Sequence, residues 1–249
     1  MSGHSRWSQI KRQKQSADVK RGALFSKLTS AITIAVKQSG GDPQTNFRLR
    51  LLLDQARGVN MPKEKVQAAV DRGLRKGPAL QLEEVVYEGY GPLGVAILAE
   101  AVTDNRNRTA SEIKQILERN GGSLAGPNSV SWMFDKKGVI VIKSAKSFDE
   151  IFLKAADAGA EDVSQAGGSF EVYTKPDDLE KVRKNLDSVG FEIVLSELTY
   201  KPKDLTKIEE SENVGKILSL MDKLDELESV QRVYSNFDIP EEILVKTAS

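Results

Sequence analysis

Apolar residues recur at the spacing of an α-helix through the first third of the chain. The i, i+4, i+7, i+8, i+11 pattern of one helix face is followed by Leu24, Leu28, Ala31, Ile32 and Ala35. Two shorter patterns of the same kind lie over 49–56 and 66–70, and each begins after a break that contains proline. These patterns predict a small helical bundle.

Beyond Pro78 the pattern changes to that of strands with few helices. Residues 109–112, Thr-Ala-Ser-Glu, have the form of a capping box, which predicts the start of a helix that ends at Gly121. Runs of apolar or alternating residues predict strands at 85–90, 95–102 and 129–134.

An orderly unit of strands and helices follows. Its predicted elements are a strand at 138–143, a helix at 147–158, strands at 161–165 and 169–174, a helix at 176–189 and a strand at 191–200. The order β-α-β-β-α-β is that of the ferredoxin-like motif. A last helix is expected at about 210–226 and a last strand at about 230–237.

The predicted elements of 78–134 are too few to bury a core of their own, and the last helix and strand would complete it. The predicted fold class is therefore α+β, with an N-terminal helical bundle followed by two α/β (ferredoxin-like or similar) domains, the last inserted into the middle one. The predicted domains are a basic helical domain at 1–77, a discontinuous α/β domain at 78–134 plus 205–249, and an inserted ferredoxin-like domain at 135–204.

Charge is distributed unevenly along the 249 residues. The whole chain carries 36 Lys and Arg and 36 Asp and Glu. Sixteen of the basic residues but only five of the acidic residues lie in 1–76, so this segment carries +11 and the remainder −11. A basic domain on an acidic body indicates a nucleic-acid partner. Attraction between the two halves, or an oligomer contact, is the alternative.

The N-terminal arm, residues 2–22, contains the one histidine of the chain and one of its two tryptophans. Trp7 can stack on a base and His4 can form a local hydrogen bond. The arm cations that can each neutralise a phosphate are Arg6, Lys11, Arg12, Lys14, Lys20 and Arg21. The alternative is a solvated basic tail.

Two further pairs of arginines complete the predicted nucleic-acid-binding set. Arg48 and Arg50 belong to the basic bundle. Arg106 and Arg108 lie in a polar strand-to-helix loop, where a helix N-terminus favours anions. Alternatively, Asp104 simply pairs with one of these loop arginines.

Enzyme classes find little support in the sequence. The chain has no cysteine and a single histidine, so a thiolate zinc site and a cysteine nucleophile are excluded. Residues 89–94 match G-x-G-x-x-G, but a proline and a strand follow instead of the helix that a dinucleotide site requires. We predict no catalytic residue, no metal and no cofactor. A carboxylate-based Mg²⁺ nuclease or phosphotransferase and a purely protein-binding adaptor are the alternatives.

No apolar run approaches the length of a membrane span, and the N-terminus has no apolar segment of the kind that secretory signals carry. We therefore expect a cytosolic protein with no membrane partner.

Several stretches of the chain resemble the YebC family, which includes mitochondrial translational activators of cytochrome oxidase. They include Met-Ser-Gly-His-Ser-Arg-Trp-Ser-Gln-Ile-Lys-Arg at 1–12, Gly-Gly-Asp-Pro at 40–43, Phe-Arg-Leu-Arg at 47–50 and Thr-Asp-Asn-Arg-Asn-Arg at 103–108. The resemblance extends over the whole length, with departures at 13–16 and 74–78. It implies three domains and no enzymatic activity. Family members are labelled DNA-binding transcriptional regulators, and others are regarded as ribosome-associated translation factors.

We therefore predict a non-enzymatic, nucleic-acid-binding regulator of gene expression whose partner is duplex DNA or ribosomal RNA. The alternative is a ribosome-associated translation factor that binds rRNA or tRNA and relieves stalling at proline-rich stretches. The bundle shows no helix-turn-helix with a recognition face, so sequence-specific major-groove binding has little support. A flexible basic arm that folds on binding suits a cleft in structured RNA, which favours RNA slightly. The sequence leaves the oligomeric state open.

Overall fold

A computed structural model describes residues 18–75, 82–166, 168–240 and 243. The N-terminal bundle consists of α1 (Asp18–Ser39), α2 (Phe47–Gly58) and α3 (Lys63–Leu74). The buried side chain of Asn46 joins the first two helices. Its side-chain oxygen accepts the Leu49 N–H at 3.0 Å and caps α2, and its side-chain NH2 group donates to the backbone carbonyls of Ala35 and Gly40.

Helices α1 and α3 approach each other closely at Gly73. A Cβ atom there would lie 2.6 Å from the carbonyl oxygen of Thr33 and 2.7 Å from Cβ of Val36. The Thr33 hydroxyl donates to the carbonyl of Ala69 at 3.1 Å in the same contact. Glycine is therefore required at position 73 for the two backbones to pack at this distance.

The first four-stranded sheet has the order β3-β1-β2-β9, with every neighbouring pair antiparallel. Its strands are β1 (Glu83–Tyr90), β2 (Ala96–Thr103), β3 (Ser123–Ala125) and β9 (Val230–Ser235). Helices α4 (Arg106–Arg119) and α7 (Ser211–Glu226) pack on one face and enclose a core with Ile113, Leu117 and Leu220. Because β9 returns beside β2 from the far end of the chain, the intervening residues form an insertion.

The insertion contains the second four-stranded sheet, with the antiparallel order β5-β6-β4-β7. Its elements are β4 (Phe134–Lys143), α5 (Phe148–Ala158), β5 (Asp162–Ala166), β6 (Ser169–Thr174), α6 (Leu179–Ser188) and β7 (Glu192–Pro202). This is the strand order of a ferredoxin-like fold, as predicted. A parallel pair, β8 (Thr206–Lys207) with β10 (Phe237–Asp238), leads back to the first sheet.

The predicted fold class is confirmed: the protein is α+β, with helices first and sheet-containing units after them. The domain boundaries at 77/78, 134/135 and 204/205 stay a prediction.

The predicted strand at 129–134 is wrong. Residues 131–133 form a short 3-10 helix, and Phe134 already begins β4. The reason is the buried carboxylate of Glu88, which accepts the backbone N–H groups of Asn128, Val130 and Ser131 at 2.7, 2.7 and 2.8 Å. These donors are therefore engaged by a side chain and are withdrawn from any strand ladder.

The predicted start of α4 is also wrong. The helix begins at Arg106, because the side chain of Asn105 caps it at the Arg108 N–H. Thr109 is buried inside the first turn, and its hydroxyl bonds to that of Thr103 at 2.9 Å. The motif at 89–94 forms a 3-10 turn between β1 and β2, which agrees with the rejection of a dinucleotide site.

Candidate nucleic-acid interface

Most of the predicted arm falls outside the residues that the structure describes. His4, Arg6, Trp7, Lys11, Arg12 and Lys14 all lie there. The backbone of Lys20 and Arg21 belongs to the first turns of α1, but the structure does not describe their side chains.

Arg48 and Arg50 of α2 contact carboxylates of both other structural units. Arg48 forms a two-point ion pair with Glu84 of β1, one contact being 2.9 Å, and Arg50 lies 3.1 Å from Glu180 of α6. Burial raises the pKa of Glu84, but the hydrogen bond and charge of Arg48 outweigh burial and hold the pKa below its ordinary value. These arginines therefore join the bundle to the rest of the protein, in agreement with the alternative that the two halves attract each other.

Lys27 on α1 makes a third contact of this kind. It is 8% exposed, lies 3.6 Å from the carboxylate of Asp225 on α7 and also donates to the Asp225 backbone carbonyl. Three cations of the bundle are thus paired with acids of the sheet-containing units, so attraction between the two halves uses part of the basic surplus.

Arg106 and Arg108 are paired locally. Arg106 lies 2.6 Å from Glu83, and its hydrogen bond lowers the pKa of that carboxyl. Arg108 lies 2.6 Å from Asp104, as the alternative interpretation of this loop expects. All four side chains are more than a third exposed. Exposed pairs of this kind are weak, so a phosphate could still compete for either arginine. Their role in binding stays a prediction.

Helix α3 and the residue that follows it present four exposed cations, Lys63, Lys65, Arg72 and Arg75. Among the residues that the structure describes, no acidic side chain lies within 4.0 Å of any of these four cations. Lys65 and Arg72 are seven residues apart, two turns of helix, and therefore share one face. That spacing is visible in the sequence, yet neither residue was in the predicted set.

Lys65 and Arg72 line a groove of about 270 Å³ between α1 and α3. On the α1 side it is lined by Gly22, Phe25, Ser26, Thr29 and Ser30, and Glu228 closes one end. The Lys65 ammonium lies 5.3 Å from the Phe25 ring centroid. The hydroxyls of Ser26 and Ser30 have no protein partner among the described residues. Two cations and two hydroxyl donors are the kinds of group that bind phosphate in proteins, and we call this groove the cationic groove.

The described residues contain no cluster of three or more His, Cys, Asp or Glu that could hold a metal ion. Across the same ranges, no helix has the length and apolar character needed to cross a membrane.

Comparison with known proteins gives matches over nearly the whole chain. The family model described as "TACO1/YebC protein N-terminal domain" matches residues 5–76, and "TACO1/YebC second and third domain" matches 82–237. A "Probable transcriptional regulatory protein" of Dictyoglomus thermophilum is 46% identical over 246 residues, covering 98% of each chain. A protein of the same description from a Sulfurihydrogenibium species is 48% identical over 248 residues, covering 99% of each.

A solved structure is similar as well. The crystal structure of a conserved hypothetical protein from Aquifex aeolicus is 41% identical to this chain, with a TM-score of 0.84. The match covers 91% of this chain and 94% of that one.

Proposed function

The chain belongs to the TACO1/YebC family, and we propose that it is a cytosolic regulator of gene expression that binds nucleic acid and catalyses no reaction. The observation that carries this proposal is the segregation of cations in the bundle. Those on α3 face solvent and have no carboxylate partner within the described part of the chain, and two of them line the cationic groove together with hydroxyl groups of α1. The names of the relatives support a regulator, since they read "Probable transcriptional regulatory protein".

The mechanism is phosphate binding with release of counterions. Lys65 and Arg72 each neutralise one phosphate, and the hydroxyls of Ser26 and Ser30 donate hydrogen bonds to the oxygens of these phosphates. The arm joins the bundle beside this site, because Gly22, at the end of the arm, lines the groove. The arm cations and the cationic groove would then engage one continuous polyanion, with Trp7 stacking on an exposed base.

A ribosome-associated translation factor that binds rRNA or tRNA, and relieves stalling at proline-rich stretches, is the second candidate. One observation favours it. Gln67, the amide side chain of α3 and therefore its candidate reader of adenine, donates to Asp71 at 2.9 Å. Among the described residues, the exposed face of α3 thus offers lysine and arginine but no free amide, which supports recognition of phosphates and shape more than of duplex sequence.

The test compares Lys65→Ala/Arg72→Ala with Lys146→Ala/Lys154→Ala. The control pair removes the same charge at Lys154 of α5 and at Lys146 just before that helix, where both lysines pair with Glu150. Binding to duplex DNA and to ribosomes is measured over a salt series. For two lost DNA contacts we expect the slope of log K against log salt to flatten by about 1.8, at about 0.9 per contact. An unchanged slope in the groove variant would refute the site.

Co-sedimentation with ribosomes in the presence of excess duplex DNA separates the two candidates. If the protein stays with the ribosomes, the translation factor is supported. If DNA removes it, the duplex-binding regulator is supported.

A further inference from the structure

A cleft of about 1270 Å³ lies where the bundle meets both sheets. Its walls come from one face of α1 and α2, from β1, β2 and β9, from α6 and from most of β7, where every residue from 192 to 200 lines it. β7 lies at one edge of its sheet and, among the described strands, pairs with β4 alone. The unpaired side of an edge strand can accept an extended segment through backbone hydrogen bonds.

The cleft is acidic, in contrast to the cationic groove on the opposite side of α1. Eight carboxylates and five cations line it. Several are paired with each other, but Asp187 and Glu192 are exposed and have no ion-pair partner among the described residues. Val86 and Val194, 41% and 50% exposed, add apolar surface. The cleft therefore suits an extended segment that is cationic and partly apolar.

The chain itself contains such a segment in residues 1–17, with four Lys and Arg, no acid, Trp7 and Ile10. The segment joins α1 at Asp18, six residues before Leu24, which lines the cleft. Six residues of helix span about 9 Å. Fully extended, seventeen residues reach up to about 56 Å, enough to follow the cleft. Tethering also makes the local concentration of the segment high, of order millimolar.

We propose that in the free protein residues 1–17 dock in this acidic cleft, and that nucleic acid draws them out. Charge selects the cleft over the cationic groove, because both sites are close to Asp18 but only the cleft carries the opposite sign. The cleft then acts as an internal competitor. The smaller the fraction of molecules in which the segment is free, the lower the apparent affinity for nucleic acid. The docking stands by itself, whereas its release by nucleic acid rests on the proposed function.

The absence of cysteine allows clean spin labelling of the full chain. One double variant is Ser8→Cys/Val194→Cys, with a label in the cleft. The other is Ser8→Cys/Ala68→Cys, with a label beside the cationic groove. Pulsed electron paramagnetic resonance without nucleic acid should give a short, narrow distance to position 194 and a longer one to position 68. Added duplex DNA or ribosomal RNA should lengthen the first and shorten the second. A broad distribution to position 194 in the free protein would refute the docking.

Asp187→Asn/Glu192→Gln tests the charge argument, with Asp204→Asn/Glu209→Gln as a control of equal charge on exposed residues outside the cleft. We expect the cleft variant to broaden the distance to position 194 and to raise nucleic-acid affinity about threefold to tenfold. Equal effects of the two variants would refute the cleft as competitor.

Dilution of the labelled chain with unlabelled chain tests the source of the segment. Unchanged distances support docking within one chain, and loss of the short distance would show exchange between two copies and overturn the proposal. The distances in the free protein test the docking, and the salt series of the Lys65→Ala/Arg72→Ala variant tests binding through the cationic groove. Failure of one proposal is therefore distinguishable from failure of the other.

Discussion

Arg232 of β9 and Glu197 of β7 form an ion pair, 2.6 Å between guanidinium nitrogen and carboxylate oxygen, that joins the two sheets. Arg232 also donates to the Leu198 carbonyl at 2.8 Å, and Gln55 of the bundle donates to Glu197 at 3.3 Å. Burial lowers the pKa of Arg232, but the charge of Glu197 outweighs it and the pKa lies above its usual value. All three units of the structure therefore meet at one mostly buried pair.

We expect Glu197→Gln to lower the free energy of unfolding by about 2 kcal/mol, because it leaves a mostly buried guanidinium without its ion-pair partner while the charge of Glu100 remains. Urea denaturation measures this loss. The double variant Arg232→Met/Glu197→Leu removes both charges and should recover most of it. Equal losses in the single and double variants would show that packing, not the unpaired charge, is responsible.

The Glu88 carboxylate predicts a pH-dependent contribution to stability. Burial raises its pKa, but hydrogen bonds from Val130, Asn128 and Ser131 outweigh burial, and the pKa lies below the ordinary value of about 4.5. A depressed pKa in the folded state stabilises the protein above the unfolded-state value, and this stabilisation is lost as pH falls through the folded-state value. Glu88→Gln should therefore cost about 1–3 kcal/mol at pH 7.

The same difference between native protein and Glu88→Gln should shrink as pH drops below about 4.5. Thermal unfolding across pH 3 to 7 follows it, with Glu209→Gln, at an exposed position far from Glu88 in the chain, as the control. A difference that stays constant with pH would show that the carboxylate charge is not involved.

Arg48→Ala/Arg50→Ala should loosen the docking of the bundle. These side chains pair with Glu84 and Glu180, so their loss removes contacts between units. We expect a larger radius of gyration by small-angle X-ray scattering, and a smaller loss of nucleic-acid affinity than in Lys65→Ala/Arg72→Ala. An unchanged radius with a strong loss of affinity would instead place both arginines on phosphates.

Gly73→Ala should destabilise the bundle by about 1–3 kcal/mol, because its Cβ would overlap the α1 backbone at Thr33. Gly58→Ala, at the end of α2, is the matched control, since its Cβ would meet nothing within 4 Å. There we expect a gain of up to about 1 kcal/mol. Differential scanning calorimetry compares the two, and equal melting temperatures would contradict the close approach of α1 and α3.

Elements with a regular local pattern were predictable. The three helices of the bundle and the β-α-β-β-α-β unit follow from apolar periodicity and from breaks at glycine and proline. Their observed bounds lie within a few residues of the predicted bounds. The loop at 128–131 was not, because its backbone is held by Glu88, some 40 residues earlier. Asn105 and Thr109 are both typical helix-starting residues, and only the buried hydroxyl pair with Thr103 decides between them.

The sequence by itself determined the class of fold, the order of its elements and the separation of charge into a basic first third and an acidic remainder. The tertiary structure alone decided which cations are engaged. Arg50 meets Glu180 at a separation of 130 residues, whereas no carboxylate of the described residues lies within ion-pair distance of Lys65 or Arg72 in the cationic groove. The reason is physical: periodicity fixes which face of an element a residue occupies, but the partner of that face is set by packing between elements far apart in the chain.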